Sequence, residues 1–317
     1  MQTYIINRLI QGVFTLGFVT LCIFLLIRVG PADPALMVIT QGDETIKPED
    51  VDQLQLERVR IGLGLDKPLP VQYFVWVKDI VTMKWGVSFY TQRPILEELA
   101  ERVPVTLQLG IYTVGLSVIM GIPLGIIMAL RQDTWVDYTS RIFSLAGLSL
   151  PSFWTATLVI AFGVYFFNWS PRLEYAHPWD DPYTNMVMLF WPAAVIGYST
   201  GAVKARMMRS TMLEVLRQDY IRTAHAKGLK YFVVVYRHAM KNALLPVVTV
   251  IGISVAVIIG GSVISETIFQ LPGVGVYLLK GMNQRDYPVV QNVVTILSAW
   301  IILSNLLVDI LYGWLDP

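Results

Sequence analysis

The sequence predicts an all-α integral membrane protein with six transmembrane helices, and three observations carry that prediction. Of 317 residues, 55% are hydrophobic and only 15% are charged, whereas a soluble domain carries about a quarter charged residues. The apolar residues gather into long blocks, and a helix needs about 20 of them to cross a hydrocarbon core of about 30 Å. The basic residues concentrate in one segment between two blocks, as cytoplasmic loops do. The net charge of +1 creates no global field that would draw nucleic acid. The single cysteine, Cys22, excludes an internal disulfide.

The spans follow in order. Leu9 to Ile27 forms the first; its apolar run is longer than that of a signal peptide, and "PADPALM" after it offers no clean small-x-small cleavage site, so it reads as an uncleaved anchor. Pro104 to Leu130 forms the second, interrupted by Gly121 and Pro123. Ile142 to Phe167 forms the third, kinked or broken near Pro151, and Met186 to Tyr198 the core of a shorter fourth. Leu244 to Ile264 and Val289 to Leu311 complete the set. Interior Pro151 and Pro192 are compatible with spans, because neighbouring helices re-satisfy freed backbone groups. Tyr73 to Met83 is apolar but short and interrupted by Lys78 and Asp79, which predicts an interfacial or external helix.

Charge orients the chain. Nine basic residues lie between Lys204 and Lys241, against Glu214 and Asp219 alone. The segment at 168–185 holds Arg172 against Glu174, Asp180 and Asp181. This places 204–243 in the cytoplasm, 168–185 outside and, with six spans, both termini inside.

Within the basic segment stands "DYIRTAHAKGLKYF", Asp219 to Phe232. Thr223, Ala224 and Ala226 give a helix a small-sided face, and Gly228 suits a left-handed C-cap. Leu229, Phe232, Val233, Tyr236 and Met240 then fall on one apolar helical stripe ringed by Lys227, Lys230, Arg237 and Lys241. Such a helix can lie on anionic lipid; that reading accounts for the charge but does not call for the small-faced turn.

"DYIRTAHAKGL…RHAMKNALLPV" resembles the cytoplasmic EAA signature of ABC importer permeases, in the form of the dipeptide, oligopeptide and nickel importer family and its B-type transmembrane subunit. "YIINRLIQ", "GPADPA", "LGLDKPLPVQYFVWV", "RVPVTLQL", "SLPSFW" and "ISETIFQLPGVG" extend the resemblance, in this order, over nearly the whole chain. It implies a type I ABC importer permease fold, with residues 1–103 as first span plus outer segment, 104–313 as permease core and 204–243 as coupling hairpin. The hairpin would dock on a cytoplasmic ATPase through Arg222, Thr223 and Ala224 at the E-A-A positions, with Ala226, Gly228 and Leu229 following and Leu245 and Pro246 closing the motif. Arg222 replaces the acid of the wider family, so the ion pair of that acid does not carry over. The resemblance further implies a second homologous permease, two ATPase subunits that bind ATP and Mg, a solute-binding protein, and the cytoplasmic membrane of a bacterium or archaeon. Peptide leads among its substrate classes, with nickel chelates, glutathione and oligosaccharides as alternatives.

No GxxxxGK[ST] phosphate loop occurs, so this chain is expected to bind no ATP itself and to need no cofactor. No HExxH motif or catalytic constellation is legible, which predicts no metal site and no enzyme. An ion-coupled secondary transporter would need midplane ionisable residues, and the spans offer only Glu266 and Asp309 near their ends. Glu266 reads either as an outer-interface carboxylate, or as a residue that lines an outer gate or stabilises a re-entrant "FQLPGVG" loop, Phe269 to Gly275. Gly260, Gly261 and Ser262 before it either pack helices closely or line the path.

Overall fold

The computed structural model describes residues 2–29, 34–40, 51–172 and 174–315. Every regular element among them is helical. Five helices among the described residues are long and apolar enough to cross a membrane: Ile5–Val29, Ile95–Leu130, Pro182–Leu216, Tyr231–Ala256 and Tyr287–Ile310. A sixth crossing is available from a pair, Trp135–Ser149 and Ser152–Phe167, bent by 106° at the intervening break. Pro151 explains the break, because a residue before proline is driven out of the α region and Leu150 is extended there (ψ 127°). Internal contacts divide the chain into two units, 1–105 with 272–303 and 106–271 with 304–317.

In the first unit, α1 (Gln2–Val29) leaves Val13, Phe14, Phe18 and Leu26 exposed, an apolar face suited to lipid. Its Phe24 is buried against Tyr73 and Trp76 of α4 (Leu69–Val81), with ring centroids 5.4 and 6.1 Å away. The expected external helix therefore forms and packs on α1. α2 (Pro34–Thr40) and α3 (Gln53–Gly62) share a small core of Ala35, Val51 and Leu56. The start of α5 (Ile95–Leu130) buries Ile95 and Leu99 against α13 (Val274–Asn283) and α14 (Tyr287–Leu315), through Val274, Tyr277, Val289 and Val293. Glu98 is buried in that core, where Tyr277 donates its hydroxyl hydrogen to it and Arg102 lies 3.6 Å away.

The second unit is built on α5 and α8 (Pro182–Leu216). A Cβ on Gly121 would stand 2.6 Å from the Gly201 carbonyl oxygen, and one on Gly125 2.5 Å from that of Ala205. These positions admit no side chain, and the small-xxx-small spacing on both helices lets the backbones meet. α6 (Trp135–Ser149) and α7 (Ser152–Phe167) follow α5 in sequence. Buried Asp137 of α6 accepts from Arg141 on its own helix and from Arg209 of α8 at 2.9 and 3.0 Å. Asp181 caps α8, accepting the Thr184 N–H at 3.0 Å, and the Thr184 contacts hold its carboxyl below the usual carboxylate range.

Two expectations change at this level. The fourth span is longer than its apolar core, because Lys204 does not leave the helix. Lys204 is fully buried, with Nζ donating to Ser254 Oγ of α11 (Met240–Gly261) at 2.9 Å. The basic segment at 204–243 is thus helical at both ends, and the connector between long helices is only Arg217–Lys230 with the short α9 (Asp219–Ala226) inside it. Leu229, Phe232 and Tyr236 of the expected stripe are exposed, Phe232 at 68%. The inward face is Val234, Val235, Ala239, Ala243 and Val247 instead. A short turn, α10 (Tyr231–Val233), leads into a π segment at Val234–Ala239 before α11. Its i→i+5 bonding turns the following residues onto a different face from that of an uninterrupted α-helix.

Candidate functional site

The connector closes as a compact knuckle. α9 ends in a Schellman motif: Gly228 N–H donates to the His225 carbonyl at 2.9 Å and Leu229 N–H to that of Ala224 at 3.4 Å. Gly228 has φ +74°, the left-handed conformation expected for it, and open space where a Cβ would stand. Ile221 and Ala224 face inward and join one apolar cluster with Ile126, Ala129, Met208, Met212, Val235 and Ala239. Arg222, Thr223, Ala226 and Leu229 face outward.

The small face expected to admit a foreign surface is therefore split. Ala224, 7% exposed, lets α9 settle onto its own spans, and Ala226 alone of the two alanines is available outside. The physical reason is that Ile221 is three residues before Ala224 and brings the same helix face into the core. Arg222 pairs with Asp219 one turn back, 3.3 Å away, with both side chains largely exposed. Thr223 donates its hydroxyl hydrogen to the Asp219 carbonyl at 2.9 Å.

The knuckle is tied to the helix that follows. Asn242 Nδ2 donates to Tyr220 Oη at 2.7 Å, and Thr211 of α8 donates its hydroxyl hydrogen to the Ala243 carbonyl at 2.9 Å. Leu245 is exposed and Pro246 lies inside α11, beside these contacts. Pro246 lacks the N–H that would bond the Asn242 carbonyl, so the side-chain ties fall where the helix ladder is weakest.

The second candidate group lies at the far end of α11, about 30 Å away at 1.5 Å per residue. The helix breaks after Gly261, and Glu266 sits on a separate short helix, α12 (Val263–Ile268). Glu266 is fully buried within the protein. Its Oε1 accepts from Thr106 Oγ1 of α5 at 2.8 Å and from Ser262 Oγ at 2.9 Å. Gly260 is exposed and faces open space; the surroundings of Gly261 lie outside the described residues. Thr106, Tyr220, Asn242 and Lys204 were not legible as partners in the sequence. Each bond joins residues 22 to 160 positions apart, and no periodicity signals such a pair.

Membrane-length helices, with a glycine-capped knuckle between α8 and α11 that exposes Arg222, Thr223 and Ala226, make this a multi-pass helical membrane protein. The chain belongs to the family described as binding-protein-dependent transport system inner membrane components, whose profile matches residues 121–317. The matching profile for the N-terminal part of such components covers residues 1–110. The dipeptide transport system permease protein of Alkalihalophilus pseudofirmus is 36% identical, with 100% of this chain and 99% of that protein covered. Its counterpart in Escherichia coli K12 is 37% identical, covering 100% and 98%. A probable peptide ABC transporter permease of Sinorhizobium fredii is 37% identical, covering 100% and 99%. Among solved structures, an inward-facing methionine ABC transporter shares the fold with TM-score 0.59 at 16% identity, over 71% of this chain and 99% of that one. An amino acid ABC transporter follows, with TM-score 0.55 at 12% identity over 69% and 94%. The protein is a transmembrane permease component of an ABC importer, a transport subunit and not an enzyme.

Proposed function

We propose that this chain forms half of the translocation path for di- or oligopeptides and converts ATPase movement into reorientation of its spans. The knuckle supports the reading: a rigid, Schellman-closed turn exposes Arg222, Thr223 and Ala226 and is bonded directly to the first turn of α11. A force on the outward face reaches α11 without passing through a flexible link. At the other end of α11 stands the Thr106–Ser262–Glu266 group, so one helix connects the two candidate sites.

On this reading a second homologous permease completes the path, two ATPase subunits bind ATP and Mg, and a solute-binding protein delivers cargo outside. The knuckle and both termini face the cytoplasm. Peptide as cargo rests on the names of the full-length relatives.

The test is reconstitution of the assembled complex in proteoliposomes. ATP-dependent, vanadate-sensitive dipeptide uptake is expected, together with a crosslink from Ala226→Cys to an ATPase subunit. A crosslink formed only from outside the cell, or uptake driven by an ion gradient without ATP, would overturn the proposal.

A further inference from the structure

Near the knuckle end of the second unit lies a hollow of about 220 Å³ that the transport reading does not use. We infer that it binds one anionic phospholipid of the adjoining leaflet, phosphate against arginine and acyl chain against the apolar wall.

The wall includes Met128 of α5 and Leu145 of α6, and the rim carries Arg141, Arg206 and Arg209. Leu145 is 53% exposed, so the hollow opens outward and an acyl chain can enter it. The arginines are set in two different ways. Arg141 and Arg209 each present Nε and Nη2 to the buried Asp137, which fixes both guanidinium planes and leaves each Nη1 unused by that carboxylate. Arg206 is exposed and has no acidic partner among the described residues. Three guanidinium groups against Asp137, and against Asp133 at 3.5 Å from Arg141, leave a net positive rim. Ser144 adds a second, independent sign. It is one of the residues lining the hollow, and its buried Oγ has no hydrogen-bond partner among the described residues.

Depth agrees with this occupant. Arg206 and Arg209 lie about 36 to 41 Å along α8 from Pro182 at 1.5 Å per residue. That exceeds the hydrocarbon thickness of about 30 Å, so a helix entering the hydrocarbon at Pro182 carries both arginines beyond it, toward the headgroups. A basic, partly apolar hollow between spanning helices at headgroup depth suits an anionic lipid. A soluble anion would gain nothing from Met128 and Leu145.

The experiment uses the complete transporter, extracted mildly and examined by native mass spectrometry, then delipidated and returned to vesicles of phosphatidylcholine with or without phosphatidylglycerol. The wild-type complex is expected to retain phosphatidylglycerol, and Arg206→Gln to weaken retention about fivefold, the effect of about one surface basic group. Lys230→Gln, an exposed basic position on the knuckle, is expected to leave retention unchanged. A photoreactive residue at Leu145 is expected to label lipid. Equal retention by wild type and Arg206→Gln would overturn the inference. So would labelling of a partner subunit or of transported peptide from position 145, since the hollow would then be an interface or part of the path. Either result leaves the coupling proposal intact, because that rests on the knuckle and not on Arg206.

Discussion

Asn242 Nδ2 and Tyr220 Oη meet at 2.7 Å and join the knuckle to the start of α11 across 22 positions of chain. Both side chains are exposed, so the bond contributes little to stability, about 0.5–1.5 kcal/mol. Its expected role is mechanical. Tyr220→Phe and Asn242→Ala should each lower peptide uptake per ATP hydrolysed, and the double variant should be no worse than either single one. Additive losses in this double-mutant cycle would show that the two residues act separately.

Gly228 holds φ +74°, where an ordinary L-residue costs about 1–2 kcal/mol and asparagine less. No neighbour crowds the position, so the cost is conformational and not steric. Uptake should fall in the order Gly, Asn, Ala, Val at position 228 while membrane insertion persists. Wild-type uptake by Gly228→Val would remove the cap from the mechanism.

Ala224 and Ala226 differ by one contact surface. Ala224→Leu pushes a branched side chain into the cluster holding Met208, Met212 and Val235, at about 1–3 kcal/mol for overpacking. It should lower the thermal unfolding midpoint of the purified complex. Ala226→Leu should leave that midpoint unchanged and weaken retention of the ATPase subunits on an affinity column. Reversal of the two phenotypes would mean that α9 presents its other face.

Glu266 accepts two hydroxyl hydrogens in a fully buried setting. Glu266→Gln keeps an Oε1 acceptor for both, whereas Glu266→Leu removes that acceptor. The difference should be about 0.5–1.5 kcal/mol for each hydrogen bond lost. Thermal unfolding of the complex should place Gln near wild type and Leu well below it. Equal behaviour would indicate that the hydroxyls find other acceptors.

Gly125 lies where a Cβ would come within 2.5 Å of the Ala205 carbonyl. Gly125→Leu should force α5 and α8 apart and cut the yield of assembled complex several-fold, with Gly125→Ala intermediate. Normal assembly of the leucine variant would show that the approach of the two backbones is not required.

Much of this fold was legible because the bilayer imposes a length and a polarity on each span. Every apolar block became helical, the third as two helices with a 106° bend at Pro151 and the fifth broken after Gly261, and Gly228 took the left-handed conformation assigned to it. Local backbone preferences act within a few residues, so the residues themselves announce them. The stripe through Phe232 and Tyr236 misled because a π segment preceded α11 and shifted the inward face to Val235, Ala239 and Ala243. Lys204 misled because a charge near the end of a span reads as loop, while its burial depends on Ser254, fifty positions away.

By itself, the sequence determined that the chain is helical, where it meets the membrane, and that a glycine-closed turn divides two of its core helices. Hydrophobic length and turn chemistry are properties of contiguous residues. Only the tertiary structure decided that Ala224 turns inward while Ala226 stays out, that Glu266 is buried with Thr106, and that Arg141, Arg206 and Arg209 share one rim. Those relations arise when distant helices pack, and packing selects among faces that the one-dimensional pattern leaves equivalent.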